Sequence, residues 1–268
     1  MFQGPELIAV VFQILWILLR VGTAWIFFPV LSHPNIPATV KTASALAFSV
    51  ALYPIVKSGL PTWTVNNPPA LGVLILEVLR EILFGVGMGL AAKWIFTSIV
   101  AAAQWAGNQI GFSAGSIIDP ESGAQDSAWT EFNGWLGIMV FFAVGGQMWL
   151  LEALRDSYTF SLKDIFIRLS DVNMAAQFWV QIGADFFVWM LKLSGPMVAV
   201  ALLLQVALGV LSKFIPQINV WLVSIPLTIG VGVFVFTLLS PMYGDALEDF
   251  MRSFRETQYH WLTFVGVR

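Results

Sequence analysis

Glu77, Arg80 and Glu81 stand three and four residues apart in LGVLILEVLREILFGVGMG, so on a helix they share one face of an otherwise apolar run. Two chemistries suit that pattern. In the first, Glu77 pairs with Arg80 and Glu81 makes an interface contact, because charges at membrane depth usually pair. In the second, the carboxylates titrate as a proton relay, which would belong to a proton-coupled carrier of a small solute. Four more charges interrupt apolar runs: Arg20, Lys93, Asp185 and Lys192. A charge at the centre of a membrane span costs about 2.5–3.5 kcal/mol on insertion scales, so these buried charges are expected to face protein or water instead of lipid.

Little else in the sequence could do chemistry. The two histidines, His33 and His260, are far apart and have no carboxylate or second imidazole at ligand spacing, so no metal site is expected. The absence of cysteine removes disulfides, thiolate ligands and thiol nucleophiles together. The serines have no partner bases in the pattern, which argues against an enzyme acting on lipid. No catalytic residue and no cofactor is expected.

The elements that must position these charges are set by composition. Hydrophobic residues make up 58% and charged residues 11% of the 268, with a net charge of −3 and a mean hydropathy of +0.80. Soluble domains carry about twice that share of charge, so the chain is expected to be an integral membrane protein. Thirteen Lys and Arg against sixteen acids leave no basic patch for a nucleic-acid backbone. The first apolar run opens without a Lys or Arg cluster and has no small-residue cleavage motif, so it is expected to be retained.

Six apolar blocks follow: 7–31, 43–56, 70–103, 129–154, 178–211 and 218–239. They lack strand alternation and must satisfy their own backbone groups, so the expected class is an all-α membrane protein of about six long helical segments, some broken or paired as hairpins. No linker marks a second domain. The third block and its polar continuation would reach about 60 Å as one helix, twice the hydrocarbon thickness, so it should break or leave the bilayer. Pro29, Pro54, Pro196, Pro226 and Pro241 should kink or stop helices unless neighbours repair them. Gly85 with Gly89, and Gly107 with Gly111 and Gly115, give small faces for close helix packing, most simply within the chain itself.

One stretch departs from this pattern: NQIGFSAGSIIDPESG, residues 108–123. Its glycines and the Asp119–Pro120 step cannot continue a helix, so it should be a loop, apolar in its first half and acidic in its second. Such a loop is either a surface turn or a re-entrant element lining or obstructing a pore. As a plug it would seal with Phe112, Ile117 and Ile118, stay mobile through Gly111, Ala114 and Gly115, and be anchored at Asp119 and Pro120.

This loop resembles the glycine-phenylalanine and Asp-Pro loop of the FliR family of export-gate proteins. A second stretch, ALGVLSKFIPQINVWLVSIPLTIGVG, is similar to that family's late motif, here Lys213, Pro216, Gln217, Asn219 and Pro226. Lys213 stands where arginine is more usual, which bears only on a bidentate role. Weaker likenesses in LLRVGTAWIFFPVLSHPNIPATVK and LRDSYTFSL extend the resemblance over nearly the whole chain.

The resemblance implies a core subunit of a flagellar or type III protein export gate in the bacterial inner membrane, at a flagellar basal body or injectisome base. It implies FliP-type and FliQ-type partners in a helical stack around a channel for unfolded substrate proteins, much of it outside the bilayer plane. In such a stack residues 1–176 would be FliP-like and 177–268 FliQ-like, all within one export-gate domain. FlhB-type and FlhA-type components would be further partners. The loop Gly111, Phe112, Ser113, Ala114, Gly115, Ser116, Ile117, Ile118, Asp119 and Pro120 would be the channel plug.

The basic residues argue for a cytoplasmic carboxyl terminus. Lys57, Arg155, Lys163, Arg168, Arg252, Arg255 and Arg268 fall on one side, against Lys41, Lys213 and in one counting Lys93 on the other. In the tail GDALEDFMRSFRETQYHW, Leu247, Phe250, Met251 and Phe254 recur at helical spacing, and Glu248 can pair with Arg252. A short amphipathic helix is expected there, docked through Phe250 and Phe254 on a cytoplasmic-side partner of the FlhB type. Its polar face is nearly balanced in charge, unlike the Lys- and Arg-rich face of a membrane anchor.

Overall fold

The computed structural model describes residues 4–28, 30–32, 36–57, 60, 69–113, 127–159, 172–214 and 220–265. Among them there is no strand. The helices are α1 (Gly4–Phe27), α2 (Ala38–Val56), α3 (Leu71–Ile110), α4 (Ala128–Ala143), α5 (Gly146–Asp156), α6 (Val172–Phe214) and α7 (Val220–Val265), with a 3-10 turn at Ser157–Thr159 after α5. Stretches long and apolar enough to cross a membrane occur at Leu7–Phe27, Ala38–Val56, Trp179–Phe214 and Val223–Thr257. The bent α4–α5 pair adds another if it is counted as one span. The chain is an all-α membrane protein, as its composition required.

Five of the six apolar blocks became single helices and the block 129–154 became two, α4 and α5; several helices run further than the blocks. α3 is unbroken over 40 residues. At 1.5 Å per residue it is about 60 Å long, so part of it lies outside a hydrocarbon layer of about 30 Å. It stops at Gly111, whose φ of +90° is left-handed, and Phe112 N–H returns to Gly107 O at 2.9 Å. That is the glycine-terminated helix end in which the turn beyond the helix satisfies a carbonyl the helix leaves open. The Ser127 side chain accepts from Thr130 N–H and caps the start of α4. A second left-handed glycine, Gly145 with φ +77°, separates α4 from α5.

The prolines do not stop their helices. Pro54 lies inside α2, Pro196 inside α6, and Pro226 and Pro241 inside α7. Proline at 241 leaves the Thr237 carbonyl without its helical donor. The Ser240 hydroxyl donates to that carbonyl at 3.0 Å, so the open acceptor is satisfied locally. Pro29 lies outside the described residues.

The contacts group into two compact units. One unit is Met1–Trp94, Gly145–Ile182 and Phe254–Arg268. Its core joins Trp16, Ile17 and Val21 of α1 to Leu52 of α2, Phe84 and Met88 of α3 and Leu154 of α5. The other is Ile95–Val144 and Gly183–Ser253, with Ala103, Ala106 and Ile110 of α3 packed on Trp129 of α4 and Met197, Val198 and Ala201 of α6.

Small residues set the α1–α3 approach in the first unit. A Cβ at Gly85 would strike Thr23 Oγ1 and the Arg20 carbonyl oxygen, and one at Gly89 would lie 2.7 Å from the Ala24 carbonyl oxygen. Two of these obstacles are backbone atoms, which cannot rotate away. Gly22, by contrast, has nothing within 4 Å of where a Cβ would sit. Gly85→Ala is therefore expected to destabilise by about 1–3 kcal/mol, the range for overpacking a filled contact. Gly22→Ala should leave stability unchanged or raise it slightly, because alanine is the better helix former. Thermal unfolding of the purified variants in mild detergent measures both, and equal midpoints would contradict the close approach.

Candidate functional site: a buried ion network and a clasped helix end

Arg20 of α1 is 1% exposed and lies in the middle of the first unit. Its Nε donates to Glu81 Oε2 at 2.6 Å and its Nη2 to Glu81 Oε1 at 2.8 Å, the two-pronged geometry that a guanidinium offers a carboxylate. Nη1 donates to the carbonyl oxygen and the hydroxyl of Ser157, at 2.6 and 2.7 Å. The Ser157 hydroxyl in turn donates a hydrogen bond to Leu154 O at 2.6 Å. The guanidinium carbon stands 3.9 Å from the Tyr158 ring centre and 4.6 Å from that of Phe84. One side chain thus ties α1 to α3 and to the turn after α5.

Arg80 completes the network. It donates to Glu81 Oε1 from Nη2 at 2.6 Å and from Nε at 3.1 Å. Its Nη2 also lies 2.8 Å from Glu77 Oε2, an ion pair without hydrogen-bond alignment. Glu81 is completely buried and accepts four N–H bonds. Two arginines and two glutamates cancel, so the cluster brings no net charge into the apolar interior.

This arrangement changes the sequence reading. Glu77 and Arg80 pair as expected, but Glu81 is held by Arg20 inside the chain. The sequence supplied a signal for this, since a lone buried arginine needs an acid. Ser157 and Tyr158 fall in LRDSYTFSL, a stretch the family resemblance touched, but no spacing tied them to Arg20. A carboxylate whose oxygens already accept four donors is a poor proton carrier, so the geometry suits a clamp better than a relay.

The other expected buried charges differ. Lys93 and Lys192 are exposed and Asp185 is half-buried. Lys192 can sit at the surface because its Nζ lies 4.4 Å from the centre of the Trp189 ring, an electrostatic contact that needs no buried acid. The tail also differs. Leu247, Phe250, Met251 and Phe254 are all fully buried within the chain. Trp189 packs edge-on to Phe250 at 5.4 Å and donates Nε1–H to Ser253 Oγ at 2.9 Å. The expected short docking helix is the end of the 46-residue α7, and its apolar face is buried in this structure. The Arg252–Glu248 pair expected there forms at 2.9 Å on the exposed side.

Of the expected plug, Gly111, Phe112 and Ser113 are described; Ala114, Gly115, Ser116, Ile117, Ile118, Asp119 and Pro120 lie outside the described residues. Phe112 stacks on Trp129 at 5.3 Å and 18°. Phe236 meets the same indole edge-on at 4.8 Å, and Tyr243 packs on Phe236 at 5.3 Å. Tyr243 Oη donates to Asn133 Oδ1 at 2.9 Å, and Asn133 Nδ2 donates to Trp129 O at 2.8 Å. Residue 112 is thus clasped by this chain's own aromatics. In the late motif, Lys213 is exposed at the end of α6 and Pro226 lies in α7, while Pro216, Gln217 and Asn219 lie outside the described residues. Among the described residues no group of His, Asp or Glu could hold a metal ion.

The family described as bacterial export proteins, family 1, matches residues 11–254. The chain belongs to this family. It is 25% identical over 257 residues to the flagellar biosynthetic protein FliR of Bacillus subtilis, covering 94% of this chain and 95% of that protein. It is 28% identical over 235 residues to FliR of Escherichia coli, covering 87% and 86%. The surface presentation of antigens protein SpaR of Salmonella typhimurium is 28% identical over 237 residues, covering 84% and 82%. The matched region of this export protein contains the whole ion network and the aromatic clasp.

If the network is the clamp its geometry describes, Arg20→Ala should destabilise by about 3–5 kcal/mol, because it strands a buried charge. Arg20→Lys should fall between that variant and the parent, since an ammonium cannot reproduce the fork. Arg252→Ala breaks an exposed pair and should change stability by no more than about 1 kcal/mol. Unfolding of the detergent-solubilised variants supplies the comparison, and similar losses for Arg20→Ala and Arg252→Ala would contradict the clamp.

Proposed function

We propose that this export protein is a core subunit of a bacterial flagellar or type III protein export gate, which helps form the channel for unfolded substrate proteins. The observation that carries the reading is the family match over residues 11–254. It is supported by near full-length similarity both to flagellar FliR and to SpaR. The apolar helices suit a subunit set in the inner membrane. These relatives are named as biosynthetic and antigen-presentation proteins, not as enzymes, in keeping with a subunit that positions and seals. Its partners in this reading are FliP-type and FliQ-type subunits, with residues 1–176 FliP-like and 177–268 FliQ-like, and further FlhB-type and FlhA-type components.

In this reading the segment Gly111–Pro120 plugs the channel at rest. Support comes from its composition and from the way its first residues are held. A seal needs apolar side chains on a chain that can yield, and GFSAGSII combines phenylalanine and isoleucine with glycines and small residues. The segment starts from a fixed point, the glycine-terminated end of α3 with Phe112 stacked on Trp129. Deleting Gly111–Ile118 is expected to leave assembly largely intact and to make the membrane leaky to ions and small molecules. Unchanged permeability with normal amounts of assembled protein would overturn the plug. A chain that purifies as a stable monomer, with no companion subunits, would overturn the gate assignment itself.

A further inference from the structure

The two glutamates of the buried network stand differently toward a proton. Glu81 is completely buried and accepts N–H bonds from Nε and Nη2 of Arg20 and from Nε and Nη2 of Arg80. A proton on Glu81 would displace at least one of these donors, and charge-assisted bonds of this kind are the strong ones. Glu77 is 8% exposed, and its Oε2 is buried without a hydrogen bond although Arg80 Nη2 lies 2.8 Å away. A proton on Glu77 Oε2 displaces no donor. One proton entering the network therefore goes to Glu77.

Two influences oppose each other there. Burial without a hydrogen bond favours the neutral acid, while a nearby guanidinium favours the anion. The charged groups that reach Glu77 are Arg80 and Glu81 of α3 and Arg20 of α1, with the Tyr158 ring against Arg20. Burial is the largest influence and outweighs the pull of Arg80, so the Glu77 carboxyl, on α3 and outside the spans named above, is pushed up from its ordinary range. Arg80 does not depend on Glu77, because its Nε and Nη2 both already hold Glu81. The Glu77 side chain keeps 10% of its surface exposed, which leaves a proton a way in.

We propose that Glu77 is a proton-binding site: one proton adds to its carboxylate and the network passes from no net charge to one positive charge, while Arg20 keeps its hold on Glu81. The site is not a relay, since a relay needs a second carboxylate ready to receive the proton and Glu81 is committed to its four donors. Nor does the proton open the clamp. It changes the charge inside the first unit and leaves α1, α3 and the turn after α5 joined through Arg20.

Difference infrared spectroscopy of the full chain in lipid nanodiscs, titrated with acid, reads the carbonyl stretch of each carboxylic acid as it forms. The parent should give an acid signal with a midpoint above the ordinary glutamate value of about 4.3. Glu77→Gln should lack that signal, and Glu248→Gln, which touches only an exposed pair, should keep it. The fold holds this proton more tightly than the unfolded chain does, so the stabilisation is complete at low pH and is lost as pH rises through the Glu77 midpoint. Glu77→Gln imitates the protonated site and should therefore unfold at neutral pH no earlier than the parent, whereas Glu81→Gln should unfold earlier. An acid signal that survives in Glu77→Gln, or a midpoint at or below the ordinary value, would overturn the site. A Glu77→Gln chain that fails to fold, or is as unstable as Glu81→Gln, would overturn it too, because the network would then require the ionised form.

Discussion

The first unit depends on one guanidinium. Arg20 joins a carboxylate on α3, a backbone carbonyl in the turn after α5 and two aromatic rings. Taking an arginine out of water demands that nearly every donor be satisfied, and here Nε, Nη1 and Nη2 all have acceptors. The glycines at 85 and 89 follow from the same constraint. Arg20 reaches Glu81 because α1 lies close on α3, and that approach is open only where α3 carries no Cβ. Packing and electrostatics specify the same contact.

The second unit is organised around an aromatic cluster and side-chain hydrogen bonds. Trp129 is its pivot, with Phe112 stacked on one side and Phe236 on its edge. The Asn133 side chain links the Trp129 backbone to Tyr243 of α7. The clasp fixes where α3 ends, which is where the segment proposed as plug begins. In the gate proposed above, a plug would need an anchor that holds still.

The helical blocks were legible in the sequence because membrane burial imposes long apolar runs with little ambiguity. α1, α2 and the α4–α5 pair begin and end within about five residues of the composition boundaries. The extension of α7 through Pro241 was not legible, since proline signals a break and the repair depends on the hydroxyl of Ser240. The periodicity of Leu247, Phe250, Met251 and Phe254 correctly marked a helical apolar face. It could not tell what covers that face, and the chain covers it itself. In the same way Glu77 and Arg80 announced their pairing through local spacing, while Arg20 and Glu81 are 61 residues apart and meet only through the fold. Lys93 and Lys192 show the converse, because a charge within an apolar run can lie on an exposed helix face.

The claim at the centre of this account is that Arg20 and Glu81 stabilise the fold as a pair. A double-mutant cycle tests it directly, with Arg20→Met, Glu81→Met and the combined variant compared by unfolding in detergent. Each single change leaves a buried charge short of its partner and is expected to cost about 3–5 kcal/mol, while the apolar double change should recover most of the loss. A double variant whose loss equals the sum of the single losses would show that the two side chains act independently and would contradict the account.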